Sequence, residues 1–326
     1  MKGSEPAIVG TCLKRGAGDV TIDCHVAILL GTYNGARHLD EQLQSIAAQT
    51  HRRWSLWVSD DGSTDDTAAM VRRFASVQTQ PVHLLAGPGQ GFAANYMSLV
   101  RHPELDANSI AFCDQDDVWL PDHLRRGLGG LSSTPAGTPT LYCGRTVYID
   151  DEGRQFGESR PVPTVCNFPH ALAQNVCAGN TMLVNQSGVN LLRQATPELV
   201  TAHDWLAYLY ITAVGGEVVF DATPTVQYRQ HRGNEMGENR SLGARMHRFK
   251  RLLAGDLRRW TDANLAVLAC IEGQMTEDAV QVASHFRLAR SGPIRQRMAN
   301  LGQSRVRRSS ASAQAAFTAA LMMGLV

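Results

Sequence analysis

Val26-Ala-Ile-Leu-Leu30, closed by Gly31-Thr-Tyr-Asn-Gly35, is an unbroken apolar run that stops at a polar turn. A strand with one wet face alternates apolar and polar residues, whereas a run that is apolar throughout suits a strand buried on both faces of a parallel sheet. Leu39, Leu43, Ile46 and Ala47 then recur at helical spacing, so the order is strand, turn, helix. The same unit repeats outward along the chain. Trp54, Leu56 and Val58 run into Ser59-Asp-Asp-Gly-Ser-Thr64, and Ala68, Met70, Val71 and Phe74 mark a second helix, for which Ser63 or Thr64 is the expected cap. Val82 to Leu85 forms a third strand, opening into Gly87-Pro-Gly-Gln-Gly91 and a helix through Ala94 and Leu99. Ser109 to Cys113 is the fourth strand. Strands alternating with helices in this way predict an α/β domain with a doubly wound, mostly parallel sheet. Such sheets take ligands beyond the carboxyl ends of their strands. The Thr32-Tyr33-Asn34 turn, the pair Asp60-Asp61, the glycine loop and the acidic segment after Cys113 all fall at those ends.

That acidic segment, Phe112-Cys-Asp-Gln-Asp-Asp-Val-Trp-Leu-Pro-Asp-His-Leu124, places Asp114, Asp116 and Asp117 within four positions. Like charges repel and Asp favours turns, so the cluster suits neither a strand nor a helix interior. A hard divalent cation compensates it well, since Mg or Mn is usually held by one or two carboxylates plus substrate phosphate oxygens. An isolated acidic pair is more often a solvated loop. Here Val118-Trp119-Leu120 bring apolar groups back at once, with Pro121 expected in the first turn of a helix.

At 326 residues, 44% hydrophobic and 19% charged, the chain has a globular composition with length for one large or two modest domains. The net charge is +1, but fourteen Lys and Arg against five Asp and Glu lie between Arg240 and Arg308, which leaves the body acidic and the C-terminal part basic. Seven cysteines without C-x-x-C spacing argue against a disulfide framework or a zinc site and for a reducing compartment. With no apolar signal region and no apolar run of membrane-spanning length, a cytoplasmic protein is expected, free or peripheral to the inner face of the cell membrane.

Residues 1–23 read as a flexible leader. After Asp150 the alternation weakens. Thr140 to Ile149 and Gly179 to Val184 read as strands and Val189 to Arg193 as a short helix, while Thr201-Ala-His-Asp-Trp205 opens an apolar helix to Val214. Glu217 to Asp221 and Thr225 to Tyr228 read as two further strands. From Leu242 the chain turns helical, with Met246, Phe249, Leu252 and Leu253 on one face, and a short apolar tail runs from Ala315 to Val326. The expected division is thus a leader at 1–23, a catalytic domain at 24–237 and a basic helical extension at 238–326.

The first turn lacks the G-x-G-x-x-G spacing of dinucleotide sites, and no G-x-x-x-x-G-K-[ST] loop occurs. Three motifs in order, Val26 to Gly35, Val58-Ser-Asp-Asp-Gly-Ser-Thr-Asp65 and Phe112 to Trp119, resemble glycosyltransferase family 2 with the GT-A fold. Within that family they resemble bacterial rhamnosyltransferases of surface-polysaccharide assembly. The resemblance covers about His25 to Gly237. It implies an inverting transferase that moves a sugar from a dTDP- or UDP-sugar to a glycan or lipid-linked saccharide, with a divalent Mn or Mg ion.

By the same resemblance Thr32, Tyr33 and Asn34 line the base and ribose pocket. Asp60 accepts from the pyrimidine imide, Asp61 orients its turn, and Gly89, Gly91 and Asn95 let backbone approach the nucleotide. Asp114 faces ribose and metal, Asp116 is the direct metal ligand, and Asp117 is structural. Arg229 reaches the diphosphate and His231 joins the metal, although Arg232 interrupts the family's Y-R-x-H-G-N order. Asp204 matches the base position, its alternative being a carboxylate that merely complements a helix terminus. Gly179, Asn180 and Thr181 form an acceptor-side segment. His203 either bonds Asp204 or lies at the surface, and Trp205 either stacks on an acceptor sugar or packs in the core.

The rival readings are a sugar-nucleotide nucleotidyltransferase, which would need a basic glycine loop near the first strand, and a non-catalytic glycan- or nucleotide-binding scaffold. The C-terminal helices suit either a cap on the domain or peripheral contact with an anionic membrane. Without aromatic interleaving, nucleic-acid binding is not expected, and the oligomeric state stays open.

Overall fold

A computed structural model of the chain describes residues 11–13, 24–159, 166–230 and 255–326. The parallel strands expected from the sequence form one side of a ten-stranded sheet. β2 (Val26–Thr32) pairs in parallel with β3 (Trp54–Asp60) on one side and with β5 (Ser109–Cys113) on the other, and β4 (Val82–Ala86) lies parallel beyond β3. β2 is therefore where the winding reverses, the position at which such sheets open a crevice. Beyond β5 comes β9 (Leu183–Asn185), antiparallel both to β5 and to β7 (Thr140–Ile149). β10 (Glu217–Arg229) is parallel to β7, and β1 (Thr11–Leu13) is parallel to β10. β6 (Val118–Trp119) adds to β10 and β8 (Gln155–Glu158) to β7, both antiparallel.

Both faces of the sheet are covered, which is why β2 is apolar from Val26 to Leu30. Val26, Ile28 and Leu30 enter a core with α1 (Leu39–Ala47), α2 (Thr67–Val77) and α4 (His123–Ser132). Ala27 and Leu29 enter the opposite core with α3 (Phe92–Val100), α5 (Phe168–Ala171), α6 (Gln186–Leu192) and α7 (His203–Ala213). Each such aliphatic side chain removed from water contributes roughly 1.5–3 kcal/mol.

The second core runs on into α8 (Asp256–Val267), α9 (Glu277–Ala289), α10 (Ile294–Ser304) and α11 (Ala311–Met322), which contribute Leu265, Phe286, Leu301 and Phe317. The described C-terminal helices are therefore a cap continuous with the catalytic core. The apolar tail expected from Ala315 onward is one of them, with Phe317, Ala320 and Leu321 buried.

Several local expectations are corrected. Thr11 to Leu13 forms an edge strand within the segment expected to be a leader. α2 starts after Asp66, and Asp65, not Ser63 or Thr64, accepts from the Thr67 N–H and hydroxyl. α4 starts after Asp122, so Pro121 precedes it. Gly179 to Thr181 is a 3-10 turn, not the start of a strand, and the two strands expected after Glu217 are one strand with a register shift between Asp221 and Val226. The helical face read through Met246 to Leu253 lies outside the described residues.

Candidate active site

Register alone brings the polar segments together. Thr32 pairs with Asp60, Asp60 with Ala86, and Leu30 with Cys113, so the turns after β2, β3, β4 and β5 leave the sheet at one rim. Asp60 accepts from Thr32 Oγ1 at 2.8 Å, from Ser63 Oγ at 2.6 Å and from the Ser63 N–H at 3.1 Å. Ser63 Oγ in turn accepts from the Asn34 N–H at 2.8 Å, and Asn34 Oδ1 accepts from the Thr64 N–H at 2.8 Å. Those bonds hold Asn34 in the left-handed region at φ 47°, which Asn tolerates better than most residues. Gln115 pins the next backbone unit, accepting from the Tyr33 N–H at 2.9 Å and donating to its carbonyl at 3.1 Å. The Tyr33 ring, 59% exposed, is left standing at the rim.

The carboxylate of Asp61, expected to orient its own turn, instead holds the glycine loop, its two oxygens accepting from the Gly89 N–H at 2.6 Å and the Gly91 N–H at 2.9 Å. These glycines are required by backbone conformation, at φ 68° and 86°, and a Cβ on either would meet nothing within 4 Å. Their amides serve Asp61 and so are not offered to a ligand. Asn95 is likewise buried beneath the rim, donating to the Ser59 carbonyl at 2.9 Å.

The acidic segment divides by burial. Asp114 and Asp116 stay partly open, whereas Asp117 is fully buried, accepting from Asn180 Nδ2 at 2.5 Å and from the Arg229 N–H at 3.1 Å. Burial, then the charges of Asp116 and Asp114, push the Asp117 carboxyl well above its ordinary range. Tyr96 places its hydroxyl 2.6 Å from Asp114 Oδ1, and burial followed by the Asp114 charge raises its own pKa well above 10. The rim thus carries crowded negative charge. Among the described residues no group of three His, Cys, Asp or Glu side chains is arranged to hold a metal ion. Asp114 and Asp116 nevertheless fit a cation whose remaining ligands are substrate phosphate oxygens.

Asp204 is the second residue of α7, half-buried, and accepts from the Trp205 N–H at 2.7 Å. Burial pushes its carboxyl from the ordinary 3.8 up to about 6, against hydrogen bonds from the Trp205 and Gly179 amides and the Asn175 side chain. Two chains of contact join it to the acidic rim. Asp117 holds Asn180, next to Gly179, where a Cβ would lie 3.3 Å from Asp204 Cβ. Tyr96, bonded to Asp114, packs its ring 3.9 Å from the ring of His203.

The other acceptor-side expectations change. His203 neither bonds Asp204 nor lies at the surface. It is 5% exposed against Tyr96 and Phe112, with both ring nitrogens unpartnered among the described residues, and burial pushes it down to about 3, so it is neutral. Trp205 packs in the core, its indole N–H on the Ala171 carbonyl at 2.7 Å and its ring edge-on to Trp260. Asn180 and Thr181 are buried, the latter accepting from the Gly144 N–H at 3.1 Å. Arg229 does not extend toward a diphosphate: fully buried, it donates to the carbonyls of Asp116, Asp150 and Asp151 at 3.0–3.1 Å and to Glu41 at 2.7 Å. His231 lies outside the described residues. Sequence reasoning passed over Tyr96, Gln115, Ser63 and Asn175. The middle two sit inside motifs already singled out and Tyr96 beside Asn95, whereas Asn175 carries no local signal.

Comparison with known proteins accords with this geometry. Residues 27–197, more than half of the chain, match the family described as glycosyl transferase family 2. The dTDP-rhamnosyl transferase RfbG of Shigella flexneri is 26% identical over 230 residues, spanning 68% of this chain and 78% of that protein. Among solved structures, S. aureus TarS 1-349 in complex with UDP-GlcNAc superposes with a TM-score of 0.53 at 15% identity, over 85% of this chain and 80% of that one. The mannosyltransferase PcManGT from Pyrobaculum calidifontis in complex with GDP-Man and Mn2+ gives 0.52 at 18% identity, over 95% and 91%. The fold is the GT-A type.

Proposed function

Because this chain belongs to glycosyl transferase family 2 and is a glycosyltransferase, we propose that it moves a sugar from a dTDP- or UDP-sugar to a saccharide or lipid-linked saccharide in bacterial surface-polysaccharide synthesis, with inversion. The observation that carries this reading is the convergence of Asp60 at the end of β3, Asp114 and Asp116 in the turn after β5, and Asp204 on α7 at one rim of the sheet. The exposed Tyr33 ring, with its backbone fixed by Gln115, suits stacking on a pyrimidine. Asp60 retains lone pairs for the imide N–H after serving Thr32 and Ser63.

In this mechanism the acceptor hydroxyl oxygen attacks the anomeric carbon, and the bond from that carbon to the diphosphate oxygen breaks with its electron pair leaving on the nucleoside diphosphate. The hydroxyl proton passes to Asp204. A single displacement inverts the anomeric centre. A carboxyl raised to about 6 suits the task, because it is ionised near neutrality yet more basic than an ordinary Asp. A divalent ion held by Asp114 and Asp116 would offset charge developing on the leaving diphosphate. Mn in one GT-A neighbour and a dTDP-rhamnosyl transferase among the relatives support this assignment of cofactor and donor.

The same reading includes a peripheral contact with a membrane surface. Leu288, Ile294 and Met298 are exposed on α9 and α10, Arg287 and Arg295 are exposed with them, and no Asp or Glu follows Asp278. Apolar and cationic groups together suit an anionic bilayer, and no helix of the described residues is long and apolar enough to cross one. Incubation with a panel of nucleotide sugars, reading released nucleoside diphosphate, tests the function. Release from a dTDP- or UDP-sugar that requires Asp204 is expected, and no release from any donor would leave a scaffold in its place.

A further inference from the structure

The link between α10 and α11 carries a guanidinium that the transferase reading has not used. Arg308 is half-buried, its Nε is enclosed without a hydrogen-bond partner, and no acidic residue pairs with it among the described residues. Burial lowers its pKa and no carboxylate raises it back. A guanidinium held partly out of water with no carboxylate beside it is favoured by an anion that reaches it. Arg307 beside it is exposed, and the charges of both are felt at His170, which burial and the two arginines push down to about 4.

The link is also held against the acceptor side of the cleft. Ser309 Oγ lies 2.9 Å from His170 Nε2, and the Ser309 N–H donates to Gln174 Oε1 at 3.1 Å. The next residue after Gln174 is Asn175, whose side chain lies close enough to Asp204 to hold down the pKa of its carboxyl. Adjacent Cα atoms are about 3.8 Å apart, so the arginine link and the base carboxylate are tied to neighbouring units of one loop. Two residues after Arg308, Ser310 caps α11, whose free amides add positive potential.

We propose that Arg307 and Arg308 form an anion subsite on the acceptor side of the cleft, taking the phosphate of an acceptor that carries its sugar on a phosphate or diphosphate. The assignment rests on the transferase reading for its direction toward Asp204, but the subsite itself can be tested without it. The planar guanidinium fork matches phosphate oxygens two at a time, which a lysine cannot reproduce.

The test is calorimetric titration of the full chain with inorganic pyrophosphate in the presence of a chelator, where the negative charge of the donor-rim carboxylates repels the anion. One binding event is expected, weakened at least tenfold in Arg308→Gln and in Arg308→Lys, less in Arg307→Gln, and unchanged in Arg73→Gln on α2. Because the substitution removes a half-buried charge that no carboxylate pairs, the Arg308→Gln chain should melt no lower than wild type without ligand. Absence of pyrophosphate binding, or binding equally strong in Arg308→Gln, would overturn the subsite. Vesicles of phosphatidylglycerol form the second arm: loss of vesicle binding in Arg308→Gln with pyrophosphate affinity intact would assign the arginines to lipid headgroups and end the acceptor assignment. Nucleotide-sugar turnover by the wild type, measured separately, shows whether the transferase reading itself has failed.

Discussion

Replacing Asp204 with Asn should cost activity and raise stability together, and the two effects have one physical source. The carboxyl is raised from 3.8 to about 6 chiefly by burial. Keeping it ionised near pH 7.5 therefore costs the folded state about two pKa units, or about 3 kcal/mol, reduced to about 1–2 kcal/mol by its partial exposure and by the hydrogen bonds a carboxamide makes less well. The sign follows from proton linkage. Between about pH 4 and 6 the folded state binds this proton more tightly than the unfolded state, so the stabilising contribution is complete below about 4 and lost as the pH rises through about 6. Asp204→Asn should accordingly melt a few degrees higher than wild type near pH 7.5, with the gain vanishing near pH 4. Transfer should fall by about 10²- to 10⁴-fold, the usual worth of a positioned base, while nucleotide-sugar affinity stays within a few-fold. In the wild type the rate should rise about tenfold per pH unit up to about 6 and then level. Scanning calorimetry at the two pH values and initial rates across the range supply the readouts. Full turnover by the Asn variant, or a melting difference independent of pH, would refute the reasoning.

Arg229→Leu should act on stability: it leaves the carbonyls of Asp116, Asp150 and Asp151 without this donor, costing roughly 3 kcal/mol or more. A urea midpoint that drops accordingly, with donor affinity of the folded fraction kept, is expected; an intact midpoint with lost affinity would return Arg229 to the diphosphate. Asp61→Ala frees the Gly89 and Gly91 amides, and donor KM should rise about tenfold at nearly constant kcat, the signature of lost ground-state organisation. Chelation should abolish transfer and added Mn or Mg restore it; a full rate in chelator would remove the metal from the reaction.

The alternation of strands and helices and the polar rim were readable in the residues because buried parallel strands announce themselves as uninterrupted apolar runs, and each run here ends in a turn. Val26 to Leu30 needed no tertiary information to be read as a strand buried on both faces. The family motifs likewise mark themselves locally, since Asp60, Asp61 and Asp114 to Asp117 are contiguous with their strands. Where a side chain points after an irregular segment is another matter. Arg229, Trp205 and Asn180 sit in motifs that suggested ligand contact, yet their polar groups are taken up by carbonyls and carboxylates from 34 to 188 positions away. No spacing rule foretells such pairings, because they arise only when β10, α5 and the acidic turn are packed together.

The chain's own residue order, then, sufficed for a doubly wound sheet with an acidic ligand rim, because strand burial and turn chemistry are properties of neighbours in sequence. It took the packing of α3, α7 and the C-terminal cap to settle which carboxylates stay open and to raise Asp204. The same packing buried His203 and left Arg308 without a counter-charge. Desolvation and partner choice depend on what lies across the fold, and that is absent from any local stretch of the chain.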